Sequence, residues 1–263
     1  MDTLRQRAEF WGRLKPPTRP SAGDLAQYEA TLRAEPERGH PASCLILGST
    51  PELRSLAHRR GYRVVCADSD GLMFEALTSM VQPGGPEEFL HTDWLEISGD
   101  RRYDIVLGDG AVNMVPIERL GEFLGAMARV TEPGGAAVLR VHLQTDPPFA
   151  SIEEIVAWYR RDHRGKPFFP AIRTPLYMLL MRQKATQVID TGEIHTYLAS
   201  LRDKGILTDE EFSSHRHFSI LVNFTRAEVF ERLASRWFAI ERIRHGADYG
   251  FPENHPIYVL RRT

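Results

Sequence analysis

Cysteine is scarce in this 263-residue chain, long apolar runs are missing, and neither sign of charge dominates. Two cysteines, Cys44 and Cys66, are too few for a disulfide framework, and both sit inside apolar runs. Burial as small apolar residues is the expectation, with the cytoplasm as the natural compartment. A formal net charge of −2 gives no global field toward nucleic acid or an anionic membrane. No apolar stretch approaches the roughly 20 residues that span a bilayer, and the first 20 residues are charged and broken by proline, unlike a signal peptide. Internal repeats and low-complexity tracts are absent. So is any G-x-G-x-x-G. What remains is the composition of a soluble globular protein, 42% hydrophobic and 26% charged, long enough to bury a core without staples. Nothing here bears on oligomeric state, and a homo-oligomer stays open.

One pair of positions stands out against these absences. Cys44-Leu-Ile-Leu-Gly48 is an apolar run ending in glycine, followed by Ser49-Thr50-Pro51-Glu52. Thr50 suits a helix N-cap and Pro51 the first helical position. A second apolar run closes at Asp68, followed by Ser69. Strand, tight turn, helix start and an acid at the next strand tip form the half-unit that binds an adenosine-bearing cofactor. The turn offers backbone N–H groups and a helix dipole to an anionic group. The carboxylate reaches ribose hydroxyls. Because the glycines that let a backbone press against a pyrophosphate are missing, S-adenosylmethionine fits better than a dinucleotide.

The pattern along the chain predicts an α/β fold. Strands are expected at 43–48, 62–67, 88–92, 103–108 and 136–143, with helices at about 51–60, 70–81 and 116–130, which argues for a parallel sheet covered on both faces. Residues 1–40 read as an N-terminal helical arm, either a packing arm or a lid. Phe10, Trp11 and Leu14 carry helical spacing, as do Leu25, Tyr28 and Leu32. Residues 146–215 read as a helical insertion, with the core resuming near Phe218 and running to 263. Thr225-Arg-Ala-Glu228 has the form of a capping box. Segments 237–244 and 256–262 suit a closing antiparallel hairpin.

At this point the residues resemble class I S-adenosylmethionine-dependent methyltransferases, over roughly 43–143 and 225–263. Leu45-Ile-Leu-Gly48 looks like the first motif, Ala67-Asp68 the second, Thr92-Asp93-Trp94 the third and Tyr103-Asp-Ile-Val-Leu-Gly-Asp109 the fourth. Glu132-Pro-Gly-Gly135 resembles the turn before the fifth strand. The first motif departs from the family's E/D-x-G-x-G-x-G, keeping only Gly48, and Leu-Gly-Ser-Thr-Pro-Glu-Leu looks like a variant loop. The resemblance implies a Rossmann-like methyltransferase sheet, mostly parallel with an antiparallel last strand. It also implies that Gly48 and Ser49 lie along the donor's methionine end, with Thr50 and Ser69 as further cofactor-binding residues. Asp68 would meet the ribose, Asp93 the adenine amino group, and Trp94 the ring. Asp109 would face the donor's ammonium or the acceptor.

Each assignment has a plain alternative: Asp68 a solvated strand end, Asp93 a turn cap, Trp94 a core aromatic. Asn113, four residues past Asp109, is a candidate acceptor contact or a helix cap. His142 at the end of the fifth strand is a general base or a packed histidine. His215 and His217 lack a third ligand of suitable spacing, so no metal is expected. The insertion interleaves Arg160, Arg161, Arg164, Lys166, Arg173, Arg182 and Lys184 with Phe168, Phe169, Tyr177 and Met178. That is either a solvated helix face or a cap in which Arg173 and Tyr177 meet an acceptor bearing carboxylate or phosphate. The leading expectation is methyl transfer from S-adenosylmethionine to a small molecule, with His142 and Asp109 as the candidate catalytic groups. The rivals are a non-catalytic methyltransferase-like binding module and an NAD(P)-binding oxidoreductase. Nucleic acid is disfavoured as a partner for want of a wider basic surface.

Overall fold

The computed structural model describes residues 3–35, 42–215 and 219–263. Two helices, α1 (Thr3–Arg13) and α2 (Ala22–Ala34), precede the first strand, β1 (Ser43–Leu47). Then come α3 (Pro51–Arg59), β2 (Arg63–Asp68), α4 (Gly71–Thr78), β3 (Glu87–His91), β4 (Tyr103–Asp109), α5 (Leu120–Val130) and β5 (Thr131–Arg140). The next stretch holds α6 (Ile152–Asp162), α7 (Phe168–Lys184), β6 (Val188–Asp190), α8 (Thr191–Asp203), α9 (Asp209–Ser213) and β7 (Leu221–Asn223). The chain closes with α10 (Ala227–Ala234), β8 (Phe238–Arg244) and β9 (Ile257–Arg262).

Seven strands form one sheet in the order β3-β2-β1-β4-β5-β9-β8. The first five pair in parallel, and β9 runs antiparallel to both β5 and β8. The expected Rossmann-like sheet with an antiparallel closing strand is therefore observed. Its central strands are buried on both faces because side chains alternate. Leu45, Leu47, Val65 and Val106 join α5 and α10 on one face. Cys44, Ile46, Val64, Cys66 and Ile105 join α2 and α3 on the other. Both cysteines are free and buried.

The turn expected at Glu132–Gly135 is a bulge inside β5. Tyr103 pairs with Thr131 and Ile105 with Ala136, so the intervening residues loop out. Gly135 has no room for a side chain there, since a Cβ would lie 2.8 Å from the carbonyls of Asp104 and Glu132. The helix expected from 116 begins with a 3-10 turn at Ile117–Arg119 before α5. The sharpest difference concerns residues 218–224. Phe218 lies outside the described residues, but β7 pairs with β6 in a separate two-stranded sheet. Val222 and Phe224 pack with α6, α7 and α8 in their own apolar cluster instead of with the main sheet. A short apolar strand carries no mark of which sheet it joins.

The capping box at Thr225 does not form. The chain stays extended one residue longer, because Thr225 bridges Leu143 and its carbonyl accepts from the Gln144 N–H at 2.9 Å. Arg226 takes the N-cap position. A capping box appears at α2, where Ser21 and Asp24 satisfy each other's backbone N–H groups. None of the described helices is long and apolar enough to cross a membrane.

Candidate active site

A cavity of about 730 Å³ opens at the carboxyl edge of the sheet, above the point where the strand order reverses between β1 and β4. That crevice is where open α/β sheets bind ligands. Gly48 borders it with φ of +87°, a left-handed conformation that a side chain strains. Across from Gly48 stands Asp68 at the tip of β2. Its Oδ2 accepts from Ser49 Oγ at 2.7 Å and its Oδ1 from the Asp70 N–H at 3.0 Å. Two hydrogen bonds fix the carboxylate and leave further lone pairs toward the cavity. Ser69 and Thr50 also line the wall, and the Thr50 side chain makes no hydrogen bond to α3. Asp93 is exposed at the cavity rim, where it caps a 3-10 turn through the Leu95 N–H at 2.9 Å. Trp94 donates from Nε1 to the Ala67 carbonyl at 2.7 Å and packs edge-on to Phe123, so it borders the cavity while serving the core.

The arm closes one side. Phe10, Trp11, Leu14 and Thr18 line the cavity. Arg7 pairs with Asp70 and Arg19 with Glu52, while Trp11 Nε1 donates to Glu52 at 3.3 Å. Helical spacing already marked Phe10, Trp11 and Leu14; nothing in the sequence says which surface they cover.

Asp109 borders the cavity too, but both of its oxygens are held by Arg140. Arg140 is fully buried. It also donates to Asp24 Oδ2 at 3.0 Å, to the Pro17 carbonyl at 3.0 Å and to Tyr249 Oη at 3.4 Å. Tyr28 completes the cluster, donating to the Gly108 carbonyl at 2.7 Å and accepting from the Arg140 N–H at 3.1 Å. Burial pushes the Asp109 carboxyl above its ordinary range against the pull of Arg140. Burial opposes the charge on Arg140, yet Asp109 and Asp24 outweigh it and keep the guanidinium protonated. Asp109 thus belongs to a clamp joining β4, β5 and the arm. An arginine inside an apolar strand, one strand over from an acid tip, was the available signal for it.

His142 lies just past β5, buried and bordering the cavity. Burial holds its imidazole well below the usual histidine range, helped by His255, Arg140 and Arg173. Nδ1 is sealed without a hydrogen-bond partner. Nε2 lies toward Gly110, another wall residue, where a Cβ would come within 3.3 Å of it. Asn113 spends its amide on backbone: Oδ1 accepts from the His142 N–H at 2.8 Å, and Nδ2 donates to the carbonyls of His142 and Asn223. It ties the end of β5 to β7. Arg173 borders the cavity from α7, but Tyr177 does not. It is buried among Phe169 and Phe224, one turn further along the helix, with its ring centre 5.3 Å from the Arg173 guanidinium carbon. Among the described residues no group of three or more His, Cys, Asp or Glu is arranged to hold a metal ion; His217 lies outside them.

No protein-family model matches the chain, and no curated protein matches it in sequence. Solved structures do match. The N-methyltransferase NodS from Bradyrhizobium japonicum, with S-adenosyl-L-homocysteine bound, superposes at a TM-score of 0.53 with 10% identity, over 99% of both chains. The 1,6-didemethyltoxoflavin-N1-methyltransferase from Burkholderia thailandensis gives 0.51 with 16% identity, over 98% of this chain and 87% of that one. The chain has the class I methyltransferase fold. A Rhodobacter sphaeroides structure described as a candidate Zn-dependent alcohol dehydrogenase superposes at 0.56 with 16% identity, over 100% and 99%. At such identities likeness speaks for the fold alone, so activity has to be argued from this chain's own cavity.

Proposed function

We propose that the protein transfers a methyl group from S-adenosylmethionine to a small molecule held in this cavity. The observation that carries the reading is Asp68 facing the left-handed Gly48 turn across the crevice between β1 and β4. The residues there fit the donor. Around Gly48 a Cβ would find nothing closer than Trp94 at 3.7 Å and the Asp68 carboxylate at 4.0 Å, so bare backbone faces an acid across open space. In this reading Gly48, Ser49 and Thr50 hold the amino-acid end, Asp68 and Ser69 the ribose, and Asp93 and Trp94 the base. The donor supplies an electrophilic methyl group on a sulfonium.

The chain's own work is alignment, exclusion of water and the handling of one proton. Phe10, Trp11 and Leu14 from the arm, with Met114 and Val115, give the cavity apolar walls. The arm from α1 to α2 and the helices after β5 serve as its lid and cap. His142 is neutral at physiological pH and takes a proton from the acceptor at Nε2. Asp109 is committed to its ion pair with Arg140, which holds both of its oxygens, and positions the arm through that pair.

The test is binding. S-adenosylhomocysteine is expected to raise the melting temperature of the wild type and NADH to leave it unchanged. Stabilisation by NADH alone would refute the assignment in favour of a dinucleotide enzyme.

A further inference from the structure

Two arginines border the cavity, and they differ in kind. Arg119 is exposed and pairs with Glu122 at 2.9 Å. Arg173 is only 7% exposed. Among the described residues it has no carboxylate within ion-pair distance. It donates from Nη1 to Thr18 Oγ1 at 2.8 Å, and its guanidinium carbon stands 5.3 Å from the centre of the Tyr177 ring. The Thr18 hydroxyl and the Tyr177 side chain, both neutral, are poor replacement for the water a guanidinium gives up on burial. A guanidinium carries five N–H donors in a fixed fork, so donors remain open beside the cavity.

The position of Arg173 narrows what completes it. It comes from α7 and shares the wall with Thr191, Ile220 and Val222, all later in the chain than β5. The next residue of α7, Thr174, bonds His255 Nε2 at 3.0 Å, and the His255 ring packs 4.6 Å from that of His142 just past β5, which puts Arg173 on the β5 side of the crevice. Gly48 and Asp68 sit over β1 and β2, across β4 from there. The acids Asp68, Asp70, Asp93 and Asp109 border the same cavity. One planar fork with one positive charge suits a carboxylate; a phosphate dianion would leave charge uncompensated among those acids.

We propose that Arg173 and Thr18 dock a carboxylate group of the methyl acceptor, beside His142. The proposal rests on the methyltransferase reading, since it assumes that the β1–β2 end is taken by the donor. Arm and cap then meet on the substrate itself, Thr18 from one and Arg173 from the other.

The experiment titrates benzoate, and benzamide as its neutral isostere, into protein saturated with S-adenosylhomocysteine, with calorimetry as the readout. Wild type is expected to bind benzoate in preference to benzamide. Arg173→Gln is expected to weaken benzoate by about ten- to hundredfold, the worth of hydrogen bonds to a charged group, and to leave S-adenosylhomocysteine affinity unchanged. The unchanged affinity also reports an intact fold, and Arg173→Lys should recover part of the benzoate binding. Three results would overturn the proposal: no preference of wild type for benzoate, equal benzoate binding in Arg173→Gln, or a fall in S-adenosylhomocysteine affinity in that variant, which would assign Arg173 to the donor's own carboxylate. If wild type binds no S-adenosylhomocysteine, the methyltransferase reading fails; benzoate titrated alone still decides whether Arg173 is a carboxylate site.

Discussion

Arg140 under the arm and Arg173 in the cap are both buried, the first behind Asp109 and the second at the cavity wall, yet their surroundings are opposites. Around Arg140 the protein has assembled Asp109, Asp24, Tyr249 and the Pro17 carbonyl. Around Arg173 it offers Thr18 and the Tyr177 ring. A buried charge loses hydration that only internal partners or a ligand can replace. The first arginine is therefore part of the architecture, knitting β4, β5, α2 and the loop before β9. The second has its complement still to come.

The largest expected effect comes from removing the architectural one. Arg140→Met strands Asp109 and Asp24 in the interior, and urea unfolding should report a loss of about 3–5 kcal/mol. A loss below about 1 kcal/mol, within the range of an exposed ion pair, would erase the distinction between the two sites. Next in size is Asp68→Ala, which removes the proposed ribose ligand. Calorimetry with S-adenosylhomocysteine should show a loss of about ten- to hundredfold while the fold persists; unchanged affinity would remove the donor assignment.

Acid should act on the same neighbourhood through His142 and His255, which burial and the two arginines hold well below the usual range. The unfolded chain binds those protons near pH 6.5 and the folded chain does not. Stability is then fully present above about pH 6.5 and falls as pH drops through the window below it, by as much as about 1.4 kcal/mol per pH unit for each imidazole. Denaturation midpoints measured from pH 8 to 5 check the sign; a flat profile would mean that the imidazoles are not sealed. Gly48→Ala tests the turn, with an expected cost of about 1–2 kcal/mol for a side chain in a left-handed position. The smallest effect on stability belongs to Arg173→Met, which removes a buried charge without orphaning an acid. Its melting curve in the ligand-free state should match wild type or exceed it, and a drop as large as that of Arg140→Met would make Arg173 architectural as well.

The sheet was legible because its signal is local. The unbroken apolar runs at 44–47 and 64–67 and the glycine and proline punctuation between elements depend on neighbours in the chain. The spacing from Gly48 to Asp68 was legible for the same reason. Charge roles were harder. Asp93 carries the same residue type whether it caps a turn or meets a ligand, and the structure has it capping while still at the rim. Asp109 read as a free acid because its clamp comes from Arg140, 31 residues away. Tyr177 read as a cavity residue because helical spacing next to Arg173 does not say which turn faces inward. The strand at Leu221–Asn223 read as core because its partner, β6, has only three residues and little pattern of its own.

By itself the sequence determined the α/β order, the turn at Gly48 and the acid at the tip of β2. Each follows from backbone preference and periodicity within a few residues. Only the tertiary structure decided which charges are answered. Arg140 meets Asp24 from 116 positions away and Arg173 meets Thr18 from 155, distances over which local pattern carries no information. Folding brought four acids, and one guanidinium that pairs with no carboxylate among the described residues, to the wall of a single cavity, because tertiary packing sets which charges meet.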